Sequence, residues 1–351
     1  MSPPNAPSQP EEDPPPDAVD AVSPPPLDDE PTPETPLPAD LTPLVGRFRE
    51  RTAVADLIRN PEVRLLVLTG PGGVGKTRLA LNVASTVRDA FRDGVCFVDL
   101  APIPHANQVL PTIASALAVR NSSSVPLIDA VQATLRSRTL LLVIDNVEHV
   151  TAAASLLTDL LIVNPGLTIL ATSRSVLSIY GEHVYPVPPM SIPMIPDGGT
   201  KSRQLTRTIA ASEAVQLFIS RATAANSAFG LTNDNALDVL TICRLLDGLP
   251  LAIELAAARI STRTPRMLAS RLQQRLPMLD DGPANVPDRL RTMRNAIGWS
   301  YDLLHPEEQA LFRRLSVFAG AWTLADAGAI AGDPPAADPD QSGHDLILQL
   351  V

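Results

Sequence analysis

The sequence predicts an α/β fold in which a parallel β-sheet carries helices on both faces and is followed by a region built from helices. Short, continuously apolar runs such as Leu65–Thr69 and Thr139–Ile144 alternate with longer segments of helical spacing, which is typical of strands buried on both faces. A glycine-rich segment, Gly70–Thr77, separates the first of these runs from an Ala- and Leu-rich helix. Beyond residue 210 we find helical apolar spacing and no convincing strand. We therefore expect a parallel sheet domain followed by helical domains.

The sheet domain is expected to span residues 41–190. Its strands are expected at Leu65–Thr69, Gly94–Leu100, Thr139–Ile144, Leu167–Thr172 and, as a short fifth strand, His183–Val187. Its helices are expected at Arg47–Ile58, from Lys76 to about Phe91, near Asn107–Ala118, at Leu127–Arg136 and at Thr151–Val163. Because apolar strands of this kind must be covered on both sides, the helices are expected to pack on both faces of the sheet.

The rest of the chain is expected to divide into a linker and two helical groups. Residues 191–210 are rich in Pro, Gly, Ser and Thr and are interpreted as the linker. A helical domain over residues 211–281 is expected from the spacing in Ser212–Ala225, Asn235–Leu246, Leu251–Ser261 and Pro265–Leu276. After the breakers of Gly282–Pro287, residues 288–351 form a third group, with helical spacing in Leu290–Leu304, Pro306–Phe318 and Leu324–Ala331.

The first 40 residues are proline- and acid-rich and contain almost no large apolar side chain, which predicts a disordered tail. Of the 38 acidic residues, ten precede Leu41, and the remaining 28 match the 28 basic residues of the chain. The net charge of −10 therefore originates in the tail. Bulk charge gives no argument for nucleic-acid binding by the folded part, although it does not exclude a local basic face.

Composition also indicates a cytoplasmic protein without a membrane partner. The N-terminus lacks the basic and apolar regions of a secretory signal. No apolar run approaches the roughly 20 residues that a membrane span requires. Cys96 and Cys243 lie in a strand-like and a helix-like apolar run, so we interpret them as reduced core residues.

The segment Gly70–Thr77 matches the phosphate-binding pattern G-x-x-x-x-G-K-[ST] in its required context of strand, loop and helix. Glycines allow backbone N–H groups to turn inward around phosphate oxygens, and the following helix points its positive end at the same anion. The Lys76 ammonium is expected to reach the β- and γ-phosphates, and the Thr77 hydroxyl to bind Mg²⁺. The expected nucleotide-binding set here comprises Gly70, Gly72, Gly73, Val74, Gly75, Lys76, Thr77 and Arg78.

The alternative for this segment is a glycine-rich turn that binds nothing. The lysine content argues against that alternative. The chain contains only two lysines, Lys76 and Lys201, and all other basic residues are arginine. A chain that otherwise avoids lysine thus places one where phosphate chemistry calls for a compact ammonium charge.

Asp145 follows the apolar run Leu140–Ile144. This matches the second nucleotide motif, in which an apolar strand ends in an aspartate. At the carboxyl end of a strand beside the phosphate loop, it is expected to hold Mg²⁺ through water; a helix N-cap is the alternative. Asn146 follows where many related ATPases carry an acid, and an amide cannot take a proton from water. Glu148 is a candidate base or water-positioning residue, the alternative being a solvated acid in the first turn of a helix.

Two further positions are candidates for nucleotide contact. Arg174 follows the fourth apolar strand, where a guanidinium can reach a γ-phosphate and report its presence; a surface arginine in a loop is the alternative. The run Leu246–Arg259 by itself predicts a core helix, with Pro250 near its first position.

The ordered set of motifs resembles the NB-ARC branch of the STAND signal-transduction ATPases over about residues 41–351. The motifs are LVGR at Leu44–Arg47, GPGGVGKT, LLVIDN, ATSR and DGLPLAIELAAAR. Asp145–His149 and Trp299–Leu304, followed by LFRRLSVFAGAWTL, are similar to the bacterial regulators that join this module to a DNA-binding domain and repeat arrays.

The resemblance implies a P-loop NTPase fold and several residue roles. It implies that Val45 and Arg47 contact adenine, that Gly73–Thr77 hold phosphates and Mg²⁺, and that Arg174 senses the γ-phosphate. Pro250 would pack on the nucleoside from the helical domain. Residues 288–351 would begin a winged-helix domain that closes over the nucleotide and usually does not read DNA.

Three departures from the family pattern bear on function. Asn146 replaces the acid of animal and plant relatives, which argues against fast hydrolysis. The winged helix is partial, and His344-Asp345 comes too early to be assigned to the family's late histidine motif. Sensor and effector domains are missing, so the chain is interpreted as a fragment or a truncated regulator.

The expected function is an ATP/ADP switch with slow hydrolysis that controls signalling or transcription. ADP would hold the domains closed, and ATP would open them and permit self-association, with DNA reached only through an absent domain. One alternative is a mechanochemical AAA-type ATPase, against which Asn146 argues. Others are a DNA-binding protein acting through residues 288–351 and a phosphotransferase, for which we find no acceptor site.

Overall fold

The computed structural model describes residues 37–39, 41–103, 105–119, 125–148, 154–195, 202–274 and 306–318, together with single positions 295, 298, 301 and 330. Most of the expected tail, and most of the third helical group over residues 288–351, lie outside the described residues. So do His149, Lys201 and the pair His344-Asp345.

Five parallel strands form one sheet, which confirms the predicted fold class. They are β1 (Leu65–Thr69), β2 (Val95–Asp99), β3 (Leu140–Asp145), β4 (Leu167–Thr172) and β5 (Glu182–Pro186). Their order in the sheet is β2-β3-β4-β1-β5, and all four pairings are parallel. The central strand is β4, and β1 lies beside it in parallel. The carboxyl end of β1, and the loop that follows it, therefore lie beside the end of β4.

Apart from α6, the described helices have boundaries within four residues of the predicted ones. In the sheet domain they are α1 (Phe48–Arg59), α2 (Lys76–Val87), α3 (Val109–Ala116), α4 (Leu127–Leu135) and α5 (Ala154–Val163). The helices that follow are α6 (Arg203–Ala210), α7 (Glu213–Ala225), α8 (Ala236–Leu245), α9 (Pro250–Ala258), α10 (Pro265–Gln274) and α11 (Pro306–Leu315). None of the helices in the described ranges combines the length and apolar character that a membrane crossing needs.

Strand β1 shows why the sheet is covered on both faces. All five of its residues are buried. Leu65 and Val67 belong to a core on one face of the sheet, whereas Leu66 and Leu68 belong to the core on the other face, with α1 and α2. This alternation follows from the two-residue period of a strand. A third core, around Phe218, holds α6 to α10 together.

The structure adds a helix to the predicted linker over residues 191–210. Helix α6 starts after Ser202, whose hydroxyl accepts a hydrogen bond from the Leu205 N–H at 3.1 Å. Ile209 of the same helix is fully buried in the helical core. A serine N-cap and one buried apolar anchor thus outweigh a composition that, on its own, indicates irregular structure.

Gly248 forms the turn between α8 and α9, and we expect its replacement by alanine to destabilise the fold. Its φ of +66° is left-handed, and a Cβ there would lie 2.5 Å from the Met190 carbonyl oxygen. Gly248→Ala should lower the free energy of unfolding by about 2–4 kcal/mol. Urea unfolding followed by circular dichroism measures this change. Gly230→Ala is the matched control, because nothing lies within 4 Å of a Cβ at Gly230. Equal stabilities of the two variants would contradict the prediction.

Candidate functional site

The phosphate-loop segment runs from the carboxyl end of β1 to the first turn of α2. Gly73 and Gly75 have left-handed φ values of +80° and +96°. Residues with a Cβ rarely adopt these values, so the glycine spacing is what lets the backbone curl at this point. Helix α2 begins at Lys76, directly after the curl. The arrangement is the strand, loop and helix that the motif requires for binding phosphate at a helix N-terminus.

The Lys76 side chain folds back over this loop. Its ammonium donates hydrogen bonds to the carbonyl oxygens of Gly70, at 2.6 Å, and Pro71, at 3.2 Å. Burial lowers the pKa of Lys76 to about 8, although the carboxylates of Glu148 and Asp145 act to raise it. The structure therefore holds a desolvated cation against the loop, where a phosphate would provide a stronger acceptor than a carbonyl.

Asp145 ends β3 beside the loop, as the sequence predicts. Its Oδ1 accepts hydrogen bonds from the hydroxyls of Thr77, at 2.7 Å, and Thr172, at 2.5 Å. Burial raises the pKa of Asp145, while these two hydrogen bonds act to lower it. The Thr77 hydroxyl and the Asp145 carboxylate supply hard oxygen ligands at one point, and this donor set fits Mg²⁺. Sequence reasoning missed Thr172, which reaches Asp145 because β3 and β4 are neighbours in the sheet.

Asn146 fixes the orientation of Asp145. Its side-chain amide donates to Asp145 Oδ2 at 2.6 Å, and its backbone N–H donates to the Thr172 hydroxyl at 3.0 Å. The residue has a left-handed φ of +63°, which asparagine tolerates better than most residues. Both carboxylate oxygens of Asp145 thus have partners within the protein. This gives Asn146 a positioning role that the sequence did not reveal.

Arg174 and Glu148, which the sequence predicts as sensor and candidate base, form an ion pair. The Arg174 Nε donates to Glu148 Oε1 at 3.2 Å, and their side chains are only 19% and 8% exposed. Two oxygens here are buried without a hydrogen-bond partner among the described residues, Glu148 Oε2 and the Ser173 hydroxyl. The structure therefore brings together two residues that lie 26 positions apart in sequence.

Arg47 makes protein contacts that the resemblance to NB-ARC proteins does not suggest. It is 2% exposed. Its guanidinium donates to the carbonyl oxygens of Pro188, at 2.5 Å, and Val74, at 3.0 Å, and pairs with Glu50. Its backbone N–H donates to Glu213 Oε1 at 2.7 Å. Arg47 thus joins the phosphate loop, the segment after β5 and helix α7. The predicted adenine contact stays a prediction.

Helix α9 meets the phosphate loop directly. The Leu251 N–H donates to the Gly73 carbonyl oxygen at 3.2 Å. A Cβ on Gly73 would lie 3.0 Å from the Leu251 Cβ, and a Cβ on Gly75 would lie 3.9 Å from the Pro250 ring. Pro250 is the first residue of α9, where its missing N–H costs no helical hydrogen bond. The first turn of α9 therefore stands against the loop that is expected to hold the phosphates.

A second contact between α2 and the helical domain is ionic. Arg78 and Arg221 both donate to Glu254 Oε1, each at 3.0 Å, and both also donate to the Thr42 hydroxyl. We call Arg78, Arg221, Glu254 and Thr42 the Arg78 cluster. It joins α2, α7, α9 and the segment before α1. Arg78, predicted as a nucleotide contact, is thus paired with the helical domain; its predicted role stays untested.

Removing the charge of Glu254 should loosen the helical domain. Glu254→Gln leaves two guanidinium groups, 16–30% exposed, without their shared carboxylate. We expect hydrogen exchange in α7 and α9 to increase about tenfold, with little change in the sheet, because one charge-assisted pair is worth about 1.5 kcal/mol. Mass spectrometry of peptic fragments measures this change. Glu62→Gln, on an exposed turn, is the control, and equal exchange in both variants would contradict a clamping role for the cluster.

Several known proteins similar in sequence to this chain are named as regulators. A family model described as an AAA domain matches residues 61–179. "Putative HTH-type transcriptional regulator Rv0890c" of Mycobacterium tuberculosis is 42% identical over 269 residues, covering 76% of this chain and 28% of the relative. "Uncharacterized protein Rv0894" of the same organism is 34% identical over 308 residues, covering 88% of this chain and 72% of the relative. The regulatory protein AfsR of Streptomyces griseus is 30% identical over 332 residues, covering 90% of this chain and 30% of AfsR.

These similarities confirm the resemblance to bacterial regulators that the motifs indicate. The chain carries an AAA-type P-loop ATPase domain of the kind found in them. It spans 28% of the length of Rv0890c and 30% of the length of AfsR, and 72% of the length of Rv0894.

Proposed function

Because this chain belongs to the P-loop ATPase family that includes Rv0894 of Mycobacterium tuberculosis, we propose that it is a regulatory switch that binds ATP and ADP. ADP stabilises the closed arrangement of the sheet domain and the helical domain. ATP favours an open arrangement that permits self-association, and slow hydrolysis resets the switch. The sensor and effector functions belong to further domains, as does any contact with DNA.

The observation that carries the proposal is the contact of α9 with the phosphate loop. The Gly73 carbonyl accepts from Leu251, and the next residues of the loop, Val74 and Gly75, face Arg47 and Pro250. A phosphate that reorients this backbone therefore acts on the helical domain through direct contacts. A switch requires two states with different contacts to the ligand, and this junction is where such a difference would arise.

In this proposal, different parts of the site bind different parts of the nucleotide. Backbone N–H groups of Gly70–Thr77 and the Lys76 ammonium hold the phosphates. Thr77 and Asp145 hold Mg²⁺, which would neutralise phosphate charge and orient the terminal phosphate. Val45, Arg47 and Pro250 lie at the junction with the helical domain, where they would border the adenine and ribose; Val45 packs against the helical core.

Arg174 distinguishes the two nucleotides. It follows β4 on the same sheet edge as Asp145, because β3 and β4 are adjacent and parallel. A guanidinium at this edge donates a charge-assisted hydrogen bond to the γ-phosphate of ATP and has no such acceptor with ADP. The slow hydrolysis of the proposal follows from Asn146, whose amide orients Asp145 and cannot accept a proton.

The nucleotide content of the purified protein tests the proposal. We would denature the protein, identify the released nucleotide by chromatography, and then measure ATP and ADP affinities and ATP turnover. Bound ADP with turnover well below about one per second is the expected result, because typical enzymes turn over at about 1–1000 per second. Turnover faster than this would favour a mechanochemical ATPase. Failure to bind either nucleotide at millimolar concentration would overturn the proposal.

A further inference from the structure

The pairing of Arg174 with Glu148 links two tasks that the site would otherwise perform separately. Under the proposed function Arg174 senses the γ-phosphate, and Glu148 is the candidate for activating water. In the structure the two side chains pair with each other, and Arg174 Nε donates to Glu148 Oε1 at 3.2 Å. A γ-phosphate and the Glu148 carboxylate are both anions, so they compete for the same guanidinium.

Glu148 lies at the same edge of the sheet as Asp145. It follows the end of β3 by three residues, and its partner Arg174 follows β4, the strand beside β3. Its Oε2 is buried and has no hydrogen-bond partner among the described residues. Leaving a carboxylate oxygen unsatisfied in a buried site is costly, so such an atom points to a ligand or a function.

The other acidic or amide groups at this edge are already engaged. Asp145 accepts from Thr77 and Thr172 through Oδ1 and from Asn146 through Oδ2. Asn146 is held by that bond and by its backbone contact with Thr172. Asp99, at the end of β2, accepts from the Ala101 N–H. Among these side chains, Glu148 alone combines a carboxylate with a buried oxygen that has no partner.

We propose that Glu148 activates the attacking water and that Arg174 holds Glu148 inactive until a γ-phosphate draws the guanidinium away. This inference rests on the proposed function and specifies how the same site is regulated. With ADP, the pair stays closed and hydrolysis has no substrate. With ATP, Arg174 turns to the γ-phosphate, and the carboxylate of Glu148 becomes available.

The hydrolytic step transfers the γ-phosphoryl group of ATP to water. The oxygen of water bonds to the γ-phosphorus, while the bond from that phosphorus to the ADP oxygen breaks and leaves its electron pair on ADP. Glu148 accepts the proton of the attacking water and passes it to solvent or phosphate. Inorganic phosphate leaves, and Arg174 pairs with Glu148 again. The same guanidinium therefore senses the phosphate, permits its removal and ends the cycle.

The proposal predicts a coupling between the two residues that a simple charge effect would not produce. Glu148→Gln removes the competitor for Arg174, so ATP affinity should rise relative to ADP affinity. If the carboxylate only repelled phosphate, the same gain would appear without Arg174. In an Arg174→Gln background, our proposal expects the Glu148→Gln change to alter ATP affinity little, because there is no guanidinium to release.

A double-mutant cycle tests this prediction. Wild type, Glu148→Gln, Arg174→Gln and the double variant are compared by ATP and ADP dissociation constants and by single-turnover hydrolysis, with Glu62→Gln as the control. We expect Glu148→Gln to slow hydrolysis at least about 100-fold. It should raise the ATP-to-ADP affinity ratio about tenfold in the wild-type background and less than about twofold in the Arg174→Gln background.

Three outcomes would count against the proposal in different ways. Unchanged hydrolysis in Glu148→Gln would remove Glu148 as the activating residue. An equal gain in ATP affinity in both backgrounds would show that repulsion acts alone and that Arg174 does not restrain Glu148. If folded wild type binds no nucleotide at all, the proposed function itself fails, which circular dichroism of the same samples separates from unfolding.

Discussion

Replacing Lys76 by alanine is expected to reduce the affinity for both ATP and ADP by about 100-fold or more. The ammonium that now donates to the Gly70 and Pro71 carbonyls would be lost, and with it the charge-assisted hydrogen bonds to phosphate. Two such bonds are worth about 3 kcal/mol together, or about two orders of magnitude in affinity. Equilibrium titration with a fluorescent nucleotide, competed by ATP or ADP, measures the effect.

The same variant should not lose stability in the absence of nucleotide. Burial lowers the pKa of Lys76 to about 8, so folding disfavours the protonated form relative to the unfolded chain. At neutral pH the lysine is protonated in both states, and its charge opposes folding. Lys76→Ala should therefore unfold at the same urea concentration as wild type or a higher one. Unimpaired binding by this variant would remove the phosphate-loop assignment; a loss of stability would mean that the ammonium supports the loop more than burial opposes it.

Arg47→Ala is expected to cause the largest loss of stability among single changes near the site. The guanidinium is nearly fully buried and donates to Val74, Pro188 and Glu50. Its removal leaves the buried Val74 carbonyl oxygen, the partly buried Pro188 carbonyl oxygen and the largely buried Glu50 carboxylate without their donor. Breaking one partner of such a buried set costs about 3–5 kcal/mol. Urea unfolding gives the free energy directly.

A neighbouring arginine and a conservative substitution supply the controls for Arg47→Ala. Arg49→Ala changes an exposed arginine of α1 and should stay within about 0.5 kcal/mol of wild type. Arg47→Lys keeps the charge but cannot place a planar fork between two carbonyls, so an intermediate loss is expected. Were Arg47→Ala as stable as Arg49→Ala, the guanidinium would have no structural role, and the adenine contact implied by the family resemblance would become its main task.

Prediction from sequence succeeded where the physical cause is local. The glycine spacing of the phosphate loop reflects backbone sterics at Gly73 and Gly75, and both take the left-handed values that the motif needs. The strands are short apolar runs bounded by breakers, and β4 was predicted with the boundaries that the structure has. Asp145 could be placed at the loop because parallel strands bring their carboxyl ends to one edge.

Prediction from sequence did not identify side-chain partners that come from distant parts of the chain. The sequence offers Arg47 and Arg78 as basic residues inside nucleotide motifs, and nothing local shows that one binds Val74 and Pro188 and the other Glu254. The same holds for Thr172, which reaches Asp145 only because β4 lies beside β3. A guanidinium can satisfy its donors with phosphate or with protein oxygens, and the choice depends on what the fold brings within reach.

Residue spacing, burial period and backbone sterics were enough to predict the α/β class, the position of the phosphate loop and the placement of Lys76, Thr77 and Asp145. The pairing of Arg174 with Glu148, the orientation of Asp145 by Asn146 and the contact of α9 with Gly73 became visible only in the folded chain. They could not be predicted because a side chain's partner depends on strand order and domain packing, which no local pattern encodes.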